Sequence, residues 1–197
     1  MSVNTDATRV DAARAFVERV TARKRGELAV LKRNAGNTLA EAHGAAWFYQ
    51  LLDDEGWRNP EIHFLVATLI GWNTKTASTG NLGHTMAVLK ARASAESIER
   101  RFRILLDADF DRQEGGKPGG GEMAFRLRQL VKLAASKEVG VDWARLLVDL
   151  CDWQSPAKKV QRAWAKAFYA PDDRTGADAI TMEPIETNET KETSHVS

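Results

Sequence analysis

The amino-acid sequence predicts an all-α protein, a helical bundle of two small subdomains with a disordered acidic C-terminal tail. Over most of the 197 residues, apolar side chains recur at three- and four-residue intervals, which is the spacing of a buried helix face. The sequence has no two segments of alternating apolar and polar residues joined by a tight turn, which is the usual mark of a β-hairpin. We expect an N-terminal subdomain over 1–95, a C-terminal subdomain over 96–170 and the tail over 171–197.

Three helical segments are predicted in the first part of the chain. The first has one apolar face, formed by Val10, Ala13, Phe16, Val17 and Val20. The second surrounds Leu31 and is expected to end near Gly36. The third is predicted to begin at Asn59-Pro60, because Asn is a common N-cap and Pro suits the first helical position. That start signal favours a helix over a strand for the apolar run at 63–70.

The middle of the chain alternates loops and helices. Residues 73–83 are polar and predict a loop, and helices are expected over 84–92 and 94–107. Residues 113–121 contain five glycines and a proline, so we expect a flexible loop there.

Three further helices complete the predicted fold. The first has an apolar stripe formed by Leu127, Leu130, Val131 and Ala134. Asp142 is predicted to cap the second, whose stripe consists of Trp143, Leu146, Leu147 and Leu150. Pro156 is predicted to start the last, whose inward face comprises Val160, Ala163, Trp164, Ala167 and Phe168.

Composition argues against several classes of protein. The longest apolar stretch, 64–72, is far shorter than the roughly 20 residues of a membrane span. The N-terminus lacks the basic head and apolar block of a signal peptide. Cys151 is the only cysteine, so one chain cannot form a disulfide or a cysteine-based zinc site. We therefore expect a cytoplasmic protein with no membrane contact, no cofactor and no small-molecule substrate.

Charge is distributed unevenly along the chain. Residues 171–197 hold seven acids and two bases, whereas residues 1–170 have an excess of six bases. A basic folded part suggests a polyanionic partner. The acidic tail could mask that basic surface or could simply be solvated.

The sequence motifs do not indicate an enzyme. Asp107, Asp109 and Asp111 have the spacing that opens a calcium loop, but Arg112 and Pro118 occupy the positions that require Gly and Glu. His43, His63 and His84 are too scattered for metal-ligand spacing. Residues 80–83 match the GXXG pattern of KH domains without the strands of that fold, so a simple helix start is the better interpretation.

The last predicted helix carries bases without acidic neighbours. No acid lies between Asp152 and Asp172, and this interval contains Lys158, Lys159, Arg162 and Lys166. The i, i+4, i+8 spacing of 158, 162 and 166 predicts a ridge about 12 Å long. Surface helices usually place acids where they can pair with such bases. The ridge therefore suggests contact with nucleic acid, with a solvated face as the open alternative.

Two further groups of bases extend this pattern. Lys32 and Arg33 belong to a cluster on the second helix, and Arg128 and Lys132 share a helix face with no acidic partner. No cluster is interleaved with exposed aromatic residues in the predicted arrangement, so base stacking is not expected. The predicted mode is contact with the nucleic-acid backbone without sequence readout.

The pair Arg100 and Arg101 has two competing interpretations. Glu96 can pair with Arg100, and Glu99 can pair with Arg103, each at i+4 on the same helix. A structural role and a binding role are both open for this pair.

Short segments in a consistent order resemble the CasB family, the small subunit of the type I-E CRISPR Cascade complex. They include 26–33, 47–52, 80–83, 99–106, 127–131, 142–150 and 160–169. The resemblance implies an all-helical, non-catalytic subunit acting in antiviral defence. It further implies contacts with the crRNA-bearing backbone subunits, with the large subunit and with a second copy of the chain. Such a subunit holds the displaced non-target DNA strand and stabilises the R-loop.

The resemblance also assigns nucleic-acid-facing residues. The positions that match the family pattern are Lys32, Arg33, Arg100, Arg101, Arg128, Lys158, Lys159 and Arg162. Gln129 stands where some members have a second base, and Glu61 stands where some have a base after the Asn-Pro pair. Lys132 and Lys166 join the predicted set through their helical spacing alone.

Three other functions remain open. A free-standing repressor would need a helix-turn-helix with a tight Gly turn, and no convincing one is found. A helical scaffold would carry its basic faces only for solubility. A metal-dependent nuclease would use Asp107 and Asp109 as ligands.

Overall fold

A computed structural model describes residues 3–77, 79–110 and 121–170, and it confirms the predicted all-α fold. These residues form nine α-helices and a 3-10 helix, Ala46–Leu51, with no β-strand among them. The α-helices are α1 (Val3–Thr21), α2 (Arg25–Arg33), α3 (Asp54–Arg58), α4 (Pro60–Ile70), α5 (Leu82–Arg92), α6 (Ala95–Asp107), α7 (Gly121–Ser136), α8 (Trp143–Cys151) and α9 (Lys159–Tyr169). The predicted acidic tail and residues 113–120 of the predicted Gly-rich loop lie outside the described residues.

The centre of the fold is α4. Every residue from Ile62 to Ile70 is buried, because α4 packs against α1, α2, α7 and α8. Pro60 occupies the first turn as predicted, whereas the Asn59 side chain, at the N-cap position, makes no capping hydrogen bond to the helix. The choice of helix over strand for 63–70 is thus confirmed.

A second layer forms where α5 packs against α6 and α9. Asn81 caps α5 by accepting a hydrogen bond from the backbone nitrogen of His84, which confirms that 80–83 is a helix start. A Cβ at Gly83 would overlap the carbonyl oxygen of Trp164, so the α5 and α9 backbones approach as closely as a glycine allows.

Packing crosses the expected subdomain boundary. The N-terminal helix α1 packs along α8, and α5 packs along α9. The buried apolar side chains form one continuous cluster that includes residues from α1 to α9. The division at residue 95 stays a prediction.

The last helix begins later than predicted. Pro156 lies in a turn, in which the backbone nitrogen of Lys158 bonds the carbonyl oxygen of Ser155, and α9 begins at Lys159. Lys158 has a φ of 47°, a left-handed conformation that ends the turn. The predicted inward residues Val160, Trp164 and Phe168 are buried, whereas Ala163 is exposed. Among the described residues, no helix is long and apolar enough to cross a bilayer.

Candidate nucleic-acid interface

Two of the predicted basic residues place their ammonium groups near one aromatic ring. Lys32, near the end of α2, and Lys132, in the middle of α7, place their Nζ atoms 4.4 Å and 3.8 Å from the ring centroid of Trp72. Trp72 follows the end of α4 and is half-buried. The packing of α2 and α7 on α4 thus brings together two bases that are distant in the sequence.

Arg128 adjoins this pair and is held in place. Its Nη1 donates a hydrogen bond to the carbonyl oxygen of Ala35, 2.7 Å away, while its Nε is buried with no partner among the described residues. Gly36 has a φ of 111°, and a Cβ there would overlap the Arg128 guanidinium. We call the group formed by Lys32, Trp72, Arg128 and Lys132 the Trp72 cluster.

The Trp72 cluster carries positive charge that no described carboxylate neutralises. Within the described part of the chain, no carboxylate lies within 4.0 Å of Lys32, Arg128 or Lys132. The two ammonium groups cannot be more than about 8 Å apart, which is shorter than the screening length at 0.1 M salt. Each cation interacts favourably with the indole ring, but the cations repel one another. An anion bound between them would relieve that repulsion.

The outer face of α9 is a second basic surface. Lys159, Arg162 and Lys166 are exposed, and none forms an ion pair with a described residue. Lys158 precedes the helix in a left-handed conformation, and its carbonyl oxygen accepts a helical hydrogen bond from the Arg162 nitrogen at 3.1 Å. The ridge of Lys158, Arg162 and Lys166 stays a prediction.

The remaining predicted bases are exposed at other places. Arg33 ends α2, and Arg100 and Arg101 lie in the middle of α6. The pairing of Glu99 with Arg103 that the spacing suggested is not observed. Instead, Glu99 bonds Lys90 of α5 at 3.2 Å and the Tyr169 hydroxyl of α9 at 3.3 Å.

The prediction that no aromatic side chains are interleaved with the basic residues is wrong. Trp72 belongs to the cluster, and Phe125 is 46% exposed with the Cζ atoms of Arg126 and Arg128 5.8 Å and 5.6 Å from its ring centroid. The i, i+3, i+7 spacing of Phe125, Arg128 and Lys132 was a signal for one of these rings. No local pattern links Trp72 to bases on two other helices.

A buried carboxylate links α9 to α8. Asp149 of α8 accepts hydrogen bonds from the Trp164 indole at 2.6 Å and from Arg145 Nε at 2.8 Å. Burial raises the pKa of the Asp149 carboxyl to about 6, although both hydrogen bonds favour its ionised form. Arg145 also forms an ion pair with Asp6 of α1, so Asp149 and Arg145 together link α1, α8 and α9.

The residues considered for metal chemistry are dispersed. Asp107 and Asp109 are exposed at the end of α6, and Asp111 lies outside the described residues. His63 is buried with Nδ1 2.9 Å from the carbonyl oxygen of Asn59, as expected of a core histidine. In the ranges that the structure describes, no three His, Cys, Asp or Glu side chains form a group able to hold a metal ion.

Comparison with known proteins places the chain in a family. The model of CRISPR-associated protein Cse2 matches residues 27–169. The chain belongs to the Cse2 family. The resemblance to the CasB family is thereby confirmed, and both basic surfaces described above lie within the matched residues.

Individual Cse2 relatives agree with this assignment. The Cse2 protein of Thermus thermophilus is 41% identical over 115 residues, an alignment that covers 57% of this chain and 60% of that protein. The match therefore spans less than two thirds of the relative's length. The crystal structure of M. ruber CasB is 32% identical, with a TM-score of 0.62 over 80% of this chain and 92% of the other. A chain of a CRISPR RNA-guided surveillance complex, 22% identical, shares the fold with a TM-score of 0.63 over 81% of this chain and 92% of the other.

Proposed function

We propose that this chain is the non-catalytic small subunit of a type I-E CRISPR Cascade complex and holds the displaced DNA strand. Cse2-family membership supports a role in a CRISPR system. The fold shared with a chain of a CRISPR RNA-guided surveillance complex supports assembly with the crRNA-bearing backbone and the large subunit. A second copy of the chain is a further expected neighbour, and the complex acts in the cytoplasm.

The observation that carries the nucleic-acid part of the proposal is the Trp72 cluster. Lys32 and Lys132 converge on one ring, Arg128 lies beside them, and no described carboxylate neutralises the three. Such an arrangement raises the free energy of the isolated protein slightly and is relieved by a polyanion. A scaffold that carried bases only for solubility would not need to concentrate them.

Phosphates fit this surface better than a specific base sequence does. Lysine ammonium groups bind phosphate as point charges, and such contacts carry no sequence information. Exposed basic residues on α9, which include Arg162 and Lys166, supply further phosphate contacts. This mode suits a subunit that must hold any displaced strand.

Modest contacts are sufficient for the proposed role. R-loop formation exchanges a DNA duplex for an RNA–DNA duplex of about equal stability, so backbone contacts to the displaced strand shift the balance. Each lost phosphate contact is therefore expected to shorten the lifetime of the R-loop without preventing assembly of the complex.

The decisive experiment uses the assembled complex with a target duplex. The double variant Lys32→Glu/Lys132→Glu is compared with Arg14→Glu/Lys137→Glu, which makes the same change in charge at exposed positions outside both basic surfaces. We expect both complexes to assemble and only the first to lose its R-loop about tenfold faster, measured by reactivity of the displaced strand to a single-strand-specific reagent.

Unchanged R-loop lifetime in the Lys32→Glu/Lys132→Glu complex would contradict strand holding and favour the scaffold. A metal-dependent nuclease is tested separately, by incubating the chain with DNA and RNA in Mg²⁺ or Mn²⁺. Cleavage that Asp107→Ala abolishes would contradict the non-catalytic assignment.

A further inference from the structure

Phe125 is an exposed aromatic residue in an unusual setting. Its neighbours in α7, Met123, Ala124 and Leu127, are buried, whereas the Phe125 ring is 46% exposed. Among the other exposed aromatic residues, Tyr49 and Trp57 stack on each other with centroids 5.5 Å apart. Phe125 instead lies against two guanidinium groups.

The two guanidinium groups are held differently. Arg128 is fixed by its bond to Ala35 on another segment of the chain. Arg126 is held by Glu122 of the same helix, at 3.0 Å, and both side chains of that pair are well exposed. Arg126 can therefore move aside when a ligand reaches the ring, while Arg128 keeps its position.

The ring is continuous with the Trp72 cluster. Phe125, Arg128 and Lys132 follow i, i+3, i+7 spacing and so share one face of α7. Lys132 contacts Trp72, and Lys32 reaches the same indole from α2. An apolar ring thus lies at one end of a row of cations.

A row of this kind complements an unpaired nucleic-acid strand. Each nucleotide of a single strand offers a phosphate for a cation and a base whose face can stack on an aromatic ring. In a duplex the base faces are covered by neighbouring base pairs, so the ring has no base face on which to stack. The ring therefore adds affinity for single strands that charge alone does not provide.

We propose that Phe125 is a base-stacking platform that makes this face of α7 selective for unpaired nucleic acid over duplex. This inference rests on the proposed function, because the same row of cations holds the phosphates. It adds a contact that the sequence analysis did not expect, and it assigns the selectivity to one side chain.

The test measures binding of the purified chain to three fluorescent probes. The probes are a single strand of mixed sequence, a strand of equal length with abasic sugars, and the corresponding duplex. Phe125→Leu keeps an apolar, helix-favouring side chain but removes the aromatic face. Trp57→Leu removes an exposed aromatic residue outside both basic surfaces and serves as the matched control, and circular dichroism checks that each variant is folded.

We expect Phe125→Leu to weaken binding of the mixed-sequence strand about tenfold and to leave binding of the abasic strand and the duplex unchanged. Trp57→Leu should bind all three probes like the wild type. Equal losses on all three probes, or no loss on any, would overturn the platform. The variant Lys132→Gln separates the two proposals. If Lys132→Gln weakens binding of every probe while Phe125→Leu weakens none, the stacking platform is wrong and the proposed function stands. Failure of the wild type to bind any probe would overturn both and leave a protein subunit as the occupant of the ring.

Discussion

The Arg128 guanidinium donates a hydrogen bond to the carbonyl oxygen of Ala35, and this 2.7 Å contact joins α7 to the turn after α2. The turn can accept Arg128 because Gly36 has no side chain and adopts a φ of 111°. The contact fixes Arg128 beside Lys132 and Lys32, so one glycine helps to shape the basic surface.

Replacing Gly36 by Ala is expected to destabilise the protein by about 1–3 kcal/mol, through backbone strain and overlap with Arg128. Equilibrium unfolding in urea measures the change. Gly26→Ala is the matched control, because a Cβ at that helical position meets nothing within 4 Å and should stabilise by about 0.5 kcal/mol. Equal stability of the two variants would contradict the packing role of Gly36.

The contact between α5 and α9 leads to a second stability prediction. Gly83→Ala places a methyl group against the carbonyl oxygen of Trp164 and is expected to destabilise by about 1–3 kcal/mol. Thermal unfolding should detect a lower Tm than for Gly26→Ala. A Tm equal to that of the wild type would mean that α9 can move away from α5 without loss.

Asp149 predicts a dependence of stability on pH. Burial raises its pKa from 3.8 to about 6, so the folded protein binds this proton more tightly than the unfolded chain does. Stability contributed by protonated Asp149 is present below pH 3.8 and is lost as the pH rises through about 6. The full change corresponds to roughly 3 kcal/mol.

Unfolding of the wild type and of Asp149→Asn in urea at several pH values tests this window. Relative to the variant, the wild type should gain stability as the pH falls from 7 to 4. Asp11→Asn, a change at an exposed carboxylate, controls for general effects of acid. A difference between wild type and Asp149→Asn that stays constant with pH would exclude the raised pKa.

The start of α9 predicts unequal effects of charge reversal. Arg162→Glu and Lys166→Glu should each reduce the dependence of log affinity on log salt by about 0.7 for a single strand. Lys158→Glu should have a smaller effect, because Lys158 precedes the helix with a left-handed backbone. Fluorescence anisotropy across a salt series measures the slopes, with Arg14→Glu on α1 as control. Equal slopes for the Lys158 and Arg162 variants would contradict this geometry.

Sequence reasoning succeeded where structure is determined by neighbouring residues. The stripe of α8 is buried as predicted, and Asp142 accepts the predicted capping bond from the Arg145 nitrogen at 2.9 Å. Both features depend on residues within a few positions of each other. Periodicity and capping rules therefore describe α8 well.

Features that depend on contacts beyond the local helical pattern were missed. The turn before α9 is associated with a hydrogen bond from Gln161 Nε2 to the carbonyl oxygen of Trp153, a buried contact that no propensity encodes. The meeting of Lys32 and Lys132 over Trp72 requires α2 and α7 to pack on α4. Sequence patterns could identify the bases, but they could not indicate which of them lie together.

The burial of α4 on every side has a consequence for how the molecule opens. The backbone amide protons of Val66 and its neighbours in α4 should exchange with solvent only when the whole fold unfolds. Lys32 and Lys132 lie on α2 and α7, which pack against α4 and also carry exposed residues, so we expect their amide protons to exchange through local opening. Hydrogen exchange should therefore be faster on these two helices than along α4.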